Sequence, residues 1–274
     1  MAKFIFKNVA RLAVIAASST ALGLFTSSML TDIKTDVHRS VGTAASYALT
    51  FASDQVVGGV HLPWTNLSPT ATIRVRAYSD AAGTVLIRDT GIIMACPAKA
   101  IELSGAWTPA QAASAYAYGG GAHARVWFDN VAVRRLVVDI VDTSNLQGYI
   151  ECGRIVAGAA WSPAETADYG APVTIEDAST SYRDDGSNLR HYVSFKSKKA
   201  SIDLSHLTPA DRATVDAARV ANGTTEPFIY SLYPDNADRE LERANQGWYC
   251  FMSSAALSTP GFEHYATTFD METV

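Results

Sequence analysis

Short segments in which apolar and polar residues alternate run through most of this chain, and that period constrains its fold more than any other feature. Successive side chains of a strand leave opposite faces, so a period of two marks a strand buried on one side. In residues 71–80 (ATIRVRAYSD), Ile73, Val75 and Ala77 are expected inward and Arg74, Arg76 and Tyr78 outward. The turn-forming run DAAG follows and TVLIRDTG returns, so 71–90 reads as a β-hairpin. Tyr47, Leu49 and Phe51 share a face in YALTF. Residues 134–142 (RRLVVDIVD), preceded by RVWFD, and 147–158 (QGYIECGRIVAG) are expected to form a further strand pair joined through TSNLQG. Strands recurring every 8–12 residues point to an antiparallel sandwich.

The N-terminal stretch 12–25 (LAVIAASSTALGLF) competes with this reading, because Lys3, Lys7 and Arg11 precede it as in an export signal. Ser18, Ser19, Thr20 and Gly23 interrupt the apolar run, and no clean A-x-A site follows. The stretch is therefore expected to be part of the fold. No run reaches the roughly 18 apolar residues of a membrane helix, so no membrane insertion is expected.

With 274 residues and 48% hydrophobic residues, the chain can fill one large core or two ordinary ones. The net charge of -5 and the lack of a dense Lys/Arg run argue against a nucleic-acid surface. Cys96, Cys152 and Cys250 are too scattered for a disulfide framework or a zinc pair and read as buried thiols. The six histidines have no second ligand at short helical spacing, so no metal is expected. G-x-S-x-G, P-loop, G-x-G-x-x-G and H-E-x-x-H signatures are missing, so no enzyme, catalytic residue or cofactor is expected. The pairs Glu176-Asp177 and Asp184-Asp185 lie in polar, turn-like stretches and read as solvated. Trp64, Trp107, Trp127, Trp161 and Trp248 are either core residues or platforms for sugar rings.

Residues 104–124 break the strand rhythm with small residues and the run Gly119-Gly120-Gly121. They read as a long loop, either functional or a surface excursion, with Trp107, Tyr116 and Tyr118 as candidate protein-contact residues. Composition shifts after Gly158, which suggests two β-sandwich-type domains, 1–157 and 158–274. The stretch 159–187 is polar and turn-rich and is expected to need a neighbouring molecule to order it. One helix is expected near 208–222, with Thr208 as N-cap, Pro209 in the first position, Asp211 completing the cap and Gly223 ending it. Its apolar stripe is expected to be Ala210, Ala213, Ala217, Val220 and Ala221, with Arg212, Asp216 and Arg219 pointing away.

Two stretches resemble known families. Ala17-Ser18-Ser19, Gly23, Ser28-Met29-Leu30, Asp32 and Val37-His38-Arg39-Ser40 are similar to the opening of discoidin-like, galactose-binding jelly rolls, with Met29 and His38 departing from the usual Asn and Trp. Leu207-Thr208 with Asp211, Pro227 to Pro234-Asp235, and Phe262, Tyr265, Phe269 and Glu272 resemble tail-tip proteins of tailed bacteriophages, most of all distal tail proteins. The resemblance implies an N-terminal jelly roll and a C-terminal antiparallel β domain with one short helix. It also implies a non-enzymatic structural role in the virion tail tip, assembled in the host cytoplasm. The implied partners are further copies in a ring and the tube, hub, tape measure and fibre proteins. A host-surface glycan bound by the jelly-roll loops is the alternative.

Overall fold

The computed structural model describes all residues except 34, 97–121, 166, 169, 195, 238–240, 243–244, 254–256 and 262–263. The fold is mostly β, with antiparallel sheets and, among the described residues, an α-helix at Pro209–Asn222. Its contacts divide it into two units: Ala2–Ser162 with Phe228–Gly247, and Pro163–Pro227 with Trp248–Val274. Residues 228–247, late in the sequence, thus belong with the N-terminal unit.

The first unit contains β1 (Lys3–Ile5), β2 (Ala13–Ala17), β3 (His38–Arg39), β4 (Ala44–Thr65) and β5 (Thr72–Tyr78). It continues with β6 (Leu86–Asp89), β7 (Ile93–Met94), β8 (Ala122–Val141), β9 (Glu151–Cys152) and β10 (Val156–Gly158). The later strands are β11 (Val173–Asp177), β12 (Thr180–Arg183), β13 (Leu189–Tyr192) and β14 (Lys196–Leu207), followed by α1 (Pro209–Asn222). β15 (Phe228–Ser231) returns to the first unit and pairs with β1. β16 (Gln246–Phe251), β17 (Leu257–Gly261) and β18 (His264–Thr273) complete the chain.

β4 and β8, of 22 and 20 residues, are the frame of the first unit. They pair from Ala44↔Val141 to Thr65↔Ala122, with register shifts between Thr50/Gln55, Val57/Gly59 and Leu62/Thr65. Such irregularities bend a strand and raise its twist, so each long strand serves two differently oriented halves. In the first half β2 and β5 flank the pair, and Tyr47, Leu49, Phe51, Ile73, Val75 and Ala77 point into the core as their alternation requires. From Val57 to Pro63 every residue of β4 is buried, because the outer face is covered as well. Lys3 and Ile5 of β1 and Glu242 of the returning segment lie on that outer face. A doubly covered strand loses its alternation.

The hairpin of 71–90 forms, with Arg76↔Asp89 and Ala77↔Arg88 in register. Ala13–Ala17 is a strand paired to β4, so the apolar stretch after Arg11 begins inside the sheet. The expected pairing of 134–142 with 147–158 does not form. RVWFD and RRLVVDIVD are one continuous strand, β8, whose neighbours are β4 and β5. β9 pairs with β3 and β4, and β10 with β4. The six-residue connection suggested a hairpin, but side chains from elsewhere take over its backbone. Asn66 and Ser40 bind residues 149–151, which aligns this segment beside β3 instead.

Gly59 and Gly158 face each other across β4 and β10. A Cβ added at Gly158 would overlap the Lys7 carbonyl oxygen, and one at Gly59 would stand 2.8 Å from Ile5 and 2.9 Å from Trp127. The two glycines let the N-terminal chain settle directly onto the sheet. Gly158→Ala is therefore expected to cost about 1–3 kcal/mol, the usual range for overpacking, because the obstacle is backbone and cannot rotate away. Equilibrium urea unfolding measures this, and an unchanged midpoint would show that Lys7 is free to shift.

In the second unit β14 pairs with β11 and β18, and β18 also pairs with β16 and β17. Ile202, Leu204, Phe251, Phe269 and Met271 are buried there, with Phe251 and Phe269 in an edge-to-face contact at 5.1 Å. The cap of α1 forms as expected: Thr208 Oγ1 accepts from Asp211 N at 3.2 Å, and Asp211 Oδ2 accepts from Thr208 N at 3.3 Å. The buried stripe is not the expected one. Asp211, Val215, Ala218 and Asn222 face inward, while Ala210, Ala213, Ala217, Val220 and Ala221 are exposed. The ends decide the rotation. Asp211 also accepts from Ala164 N, and Asn222 Nδ2 donates to Glu226 O, so both polar ends must face the protein. Val215 and Ala218 lie on the same line.

Candidate functional site

Of the expected contact residues, Trp107, Tyr116 and Tyr118 lie outside the described residues. Trp127 and Trp248 are buried, and Trp161 packs on Phe4 and Phe6, so these three are structural. Trp64 is partly exposed and has φ 60°, at the irregularity between Leu62 and Thr65. A bulky residue at positive φ is uncommon and must be held there by its surroundings. Its carbonyl accepts from Gly153 N at 3.0 Å, which ties the bulge to the segment after β9.

Beside Trp64, three loop segments of the first unit converge on β3 and β9. Ala21 N donates to Arg39 O at 2.8 Å, and Val41 N to Ser19 Oγ at 3.0 Å, so residues 19–22 lie along 39–41. Asn66 organises the other side. Its Nδ2 donates to Gln147 Oε1 at 2.6 Å and to Tyr149 O at 2.9 Å, while its Oδ1 accepts from Glu151 N at 2.7 Å. Asn145 Nδ2 donates back to Asn66 O, and Asn145 Oδ1 accepts from Gln147 N. Gly148, at φ 74°, makes the turn that returns the chain toward Tyr149.

Arg39 and Glu151 lie directly opposite in the β3–β9 register. Arg39 donates through Nε, at 2.9 Å, and through Nη2, both to Oε1 of Glu151. Those bonds hold the guanidinium pKa above its ordinary value. The guanidinium lies 4.1 Å from the centre of the Tyr149 ring. Cation and ring quadrupole attract in this arrangement, and the contact fixes both side chains. Arg39 Nη1, Glu151 Oε2, Gln147 Nε2 and the Tyr149 hydroxyl make no hydrogen bond among the described residues. Leu22, Val41 and Leu146, at the tips of the three segments, are exposed.

Beneath this surface His38 is buried, with Nε2 3.2 Å from Thr20 Oγ1 and Nδ1 3.1 Å from the Tyr47 hydroxyl. Burial lowers its pKa, against the raising effect of a hydrogen bond to the Ser19 backbone. Burial also raises Tyr47 well above the usual phenol value. Burial thus favours the neutral imidazole and the protonated phenol, whose contacts support the 19–22 segment. Cys96 and Cys152 are free, buried thiols raised by burial to about 12, so neither is a ready nucleophile at neutral pH. Among the described residues no group of three or more His, Cys, Asp or Glu is arranged to hold a metal ion.

The surface around Arg39 was not singled out by sequence reasoning. Arg39 figured only in the discoidin-like VHRS segment, and its partner lies 112 residues away. The turn formers and amides of TSNLQG were a signal, but they read equally well as a plain connection.

No protein-family model matches the sequence, and no curated protein matches it. Solved structures similar to this chain include carbohydrate-binding modules. The lectin domain of lectinolysin complexed with Lewis b antigen is 16% identical, with a TM-score of 0.38, over 56% of this chain and 96% of that one. A Streptococcus pneumoniae fucose-binding module is 12% identical, with a TM-score of 0.37, over 56% and 94%. Chitosan-binding module 1 of a Paenibacillus sp. IK-5 chitosanase/glucanase is 15% identical, with a TM-score of 0.37, over 55% and 98%. Likenesses this distant carry no ligand or partner to this chain.

Proposed function

We propose that this chain is a non-catalytic binding protein whose first unit takes a neutral glycan at the loop surface around Arg39 and Glu151. The observation that carries this reading is that Arg39 Nη1 and Glu151 Oε2 make no hydrogen bond among the described residues, on a side-chain pair already fixed by its other atoms. A sugar hydroxyl both donates and accepts, so it matches such a couple. The ion pair is neutral as a whole and asks for no charge on the ligand. Gln147 Nε2 and the Tyr149 hydroxyl extend the polar surface, and the tips of Leu22, Val41 and Leu146 offer apolar area to the C–H faces of a sugar ring.

Glycan-array screening followed by calorimetry tests this. Neutral glycans are expected to be retained, and Glu151→Gln and Tyr149→Ala are each expected to weaken them at least about tenfold, or about 1.4 kcal/mol. The Arg39–Glu151 pair is partly exposed, so Glu151→Gln is expected to leave the urea midpoint close to that of the parent. An array without retained neutral glycans, or variants that bind as the parent does, would overturn the assignment.

A second reading is favoured by β12 and β13. Each of their residues is exposed, including Tyr182, Leu189 and Tyr192, and they pair only with each other. An isolated two-stranded hairpin is at best marginally stable in water, which suits a segment covered by a neighbour in an assembly. On this reading the chain is a tail-tip component of a tailed phage, similar to distal tail proteins, placed in the virion as a ring after assembly in the host cytoplasm. A Tyr182→Ser/Tyr192→Ser variant is then expected to keep its melting temperature and lose higher oligomers in light scattering. A parent protein that stays monomeric at high concentration, together with complete tails in particles lacking it, would count against it.

A further inference from the structure

A cavity of about 340 Å³ lies within the second unit, between the last turn of α1 and the end of β16. It is lined by Asp216, Arg219, Val220, Gly223, Thr224, Phe251 and Ser253. That volume is at the small end of the roughly 300–1,000 Å³ of ligand pockets. Phe251, held edge-to-face against Phe269, and Val220 supply apolar wall. Arg219 supplies a cation whose hydrogen bonding is incomplete. Its Nε is shielded from solvent without a partner, and its nearest carboxylate oxygen, Asp216 Oδ1, is 3.9 Å from Nη1. The Thr224 and Ser253 hydroxyls likewise have no hydrogen-bond partner among the described residues.

We propose that this cavity binds a small carboxylate with a flat apolar body. The guanidinium offers a planar fork of donors that matches two carboxylate oxygens, the two hydroxyls can add bonds, and the phenyl and isopropyl groups take the apolar part. Two features oppose an anion here. The C-terminal end of a helix disfavours negative charge by about 0.3–1 kcal/mol. Asp216 is a like charge, but it is half exposed and has Arg212 Nε at 3.6 Å as well as Arg219. Hydrogen bonds to charged groups contribute about 1.5–3 kcal/mol each, so the fork outweighs both. This site is distinct from the Arg39 surface, and the fate of either assignment leaves the other standing.

Benzoate is the probe, with benzamide as its neutral counterpart. In ¹⁵N-resolved titrations of the full chain, benzoate is expected to shift the amides of Arg219, Val220, Gly223, Thr224 and Ser253 with a dissociation constant on the order of 1 mM, as nine heavy atoms allow. Benzamide is expected to bind at least tenfold more weakly. Arg219→Gln is expected to remove the saturable shifts and Arg219→Lys to retain part of them. Melting temperatures of the variants separate lost binding from lost folding, and Arg219→Lys stands in should Arg219→Gln fail to fold. Shifts scattered over the surface, equal binding of benzamide, or benzoate binding that survives Arg219→Gln would overturn the proposal.

Discussion

Glu242→Gln is expected to destabilise the first unit by about 3–5 kcal/mol, the usual cost of removing one partner from a buried ion pair. Glu242 is fully buried and the Arg125 side chain is 9% exposed. The two meet in a fork, Nε to Oε1 at 2.6 Å and Nη2 to Oε2 at 2.8 Å. Burial by itself would lower the Arg125 pKa, but the bonds to Glu242 overcome it and hold the guanidinium above its ordinary value. Taking the carboxylate away therefore strands a buried cation whose nearest remaining carboxylate, Asp235, is 3.9 Å away and half exposed. Asp235 N also donates to Glu242 Oε1, so the same carboxylate pins residues 228–247 to β8. At about 2–4 °C per kcal/mol the melting temperature should fall by roughly 6–20 °C. Arg125→Met/Glu242→Leu should recover much of that, since an apolar pair of similar volume is often tolerated. A single-variant loss below about 1 kcal/mol would mean that water reaches Arg125, and the clamp would be wrong as described.

Stability is also expected to fall with acidification from about pH 6.5, well before carboxylates titrate. His61 is fully buried, and burial pushes its pKa well below 6.5, with the charges of His123, Arg125 and Lys3 acting in the same direction. His61 Nδ1 lies 2.9 Å from His123 Nε2, a contact that needs at least one ring neutral, and the ring meets Trp127 edge-on at 4.4 Å. The charged groups around it are His123 and Arg125 on β8, Lys3 on β1, and Glu242 and Asp235 on the returning segment, the last two engaged by Arg125. A histidine depressed in the fold takes up its proton more readily when unfolded. Its stabilising contribution is complete above the unfolded value and declines as pH falls toward the folded one, by about 1.4 kcal/mol per pH unit for each such group. His38 is lowered too and adds to the slope. Asp80 and Asp89, both held near 2, are lost only below the ordinary carboxylate range, so the two windows separate. Urea midpoints at pH 7, 6 and 5 should decline, and His61→Gln should flatten the decline by about one proton. A parent profile flat from pH 7 to 5 would show that His61 charges freely within the fold.

Local chemistry made much of this architecture legible beforehand. Ile73, Val75 and Ala77 declare their strand because a period of two admits one solution beside a core, and Thr208, Pro209 and Asp211 declare a helix start because their own side chains close the cap. Each of these signals is complete within about ten residues. The rotation of α1 was not legible, because an alanine-rich helix offers several comparable faces and the choice fell to Asp211 and Asn222, whose partners are Ala164 and Glu226. The strand neighbours of residues 147–158 were hidden for the same reason, since Asn66 and Ser40 choose them.

The sequence by itself therefore determined the β class, the hairpin at 71–90, the inward faces of the single-sided strands and the one capped helix, all through contacts between near neighbours. Only the tertiary structure decided that residues 228–247 close over the first unit through Glu242, and that Arg39 meets Glu151 across 112 residues above Tyr149. Ion pairs and hydrogen bonds leave no periodic mark on a sequence. Their partners are chosen by which strands lie side by side, and that choice is settled by the burial of the whole core rather than by any one segment.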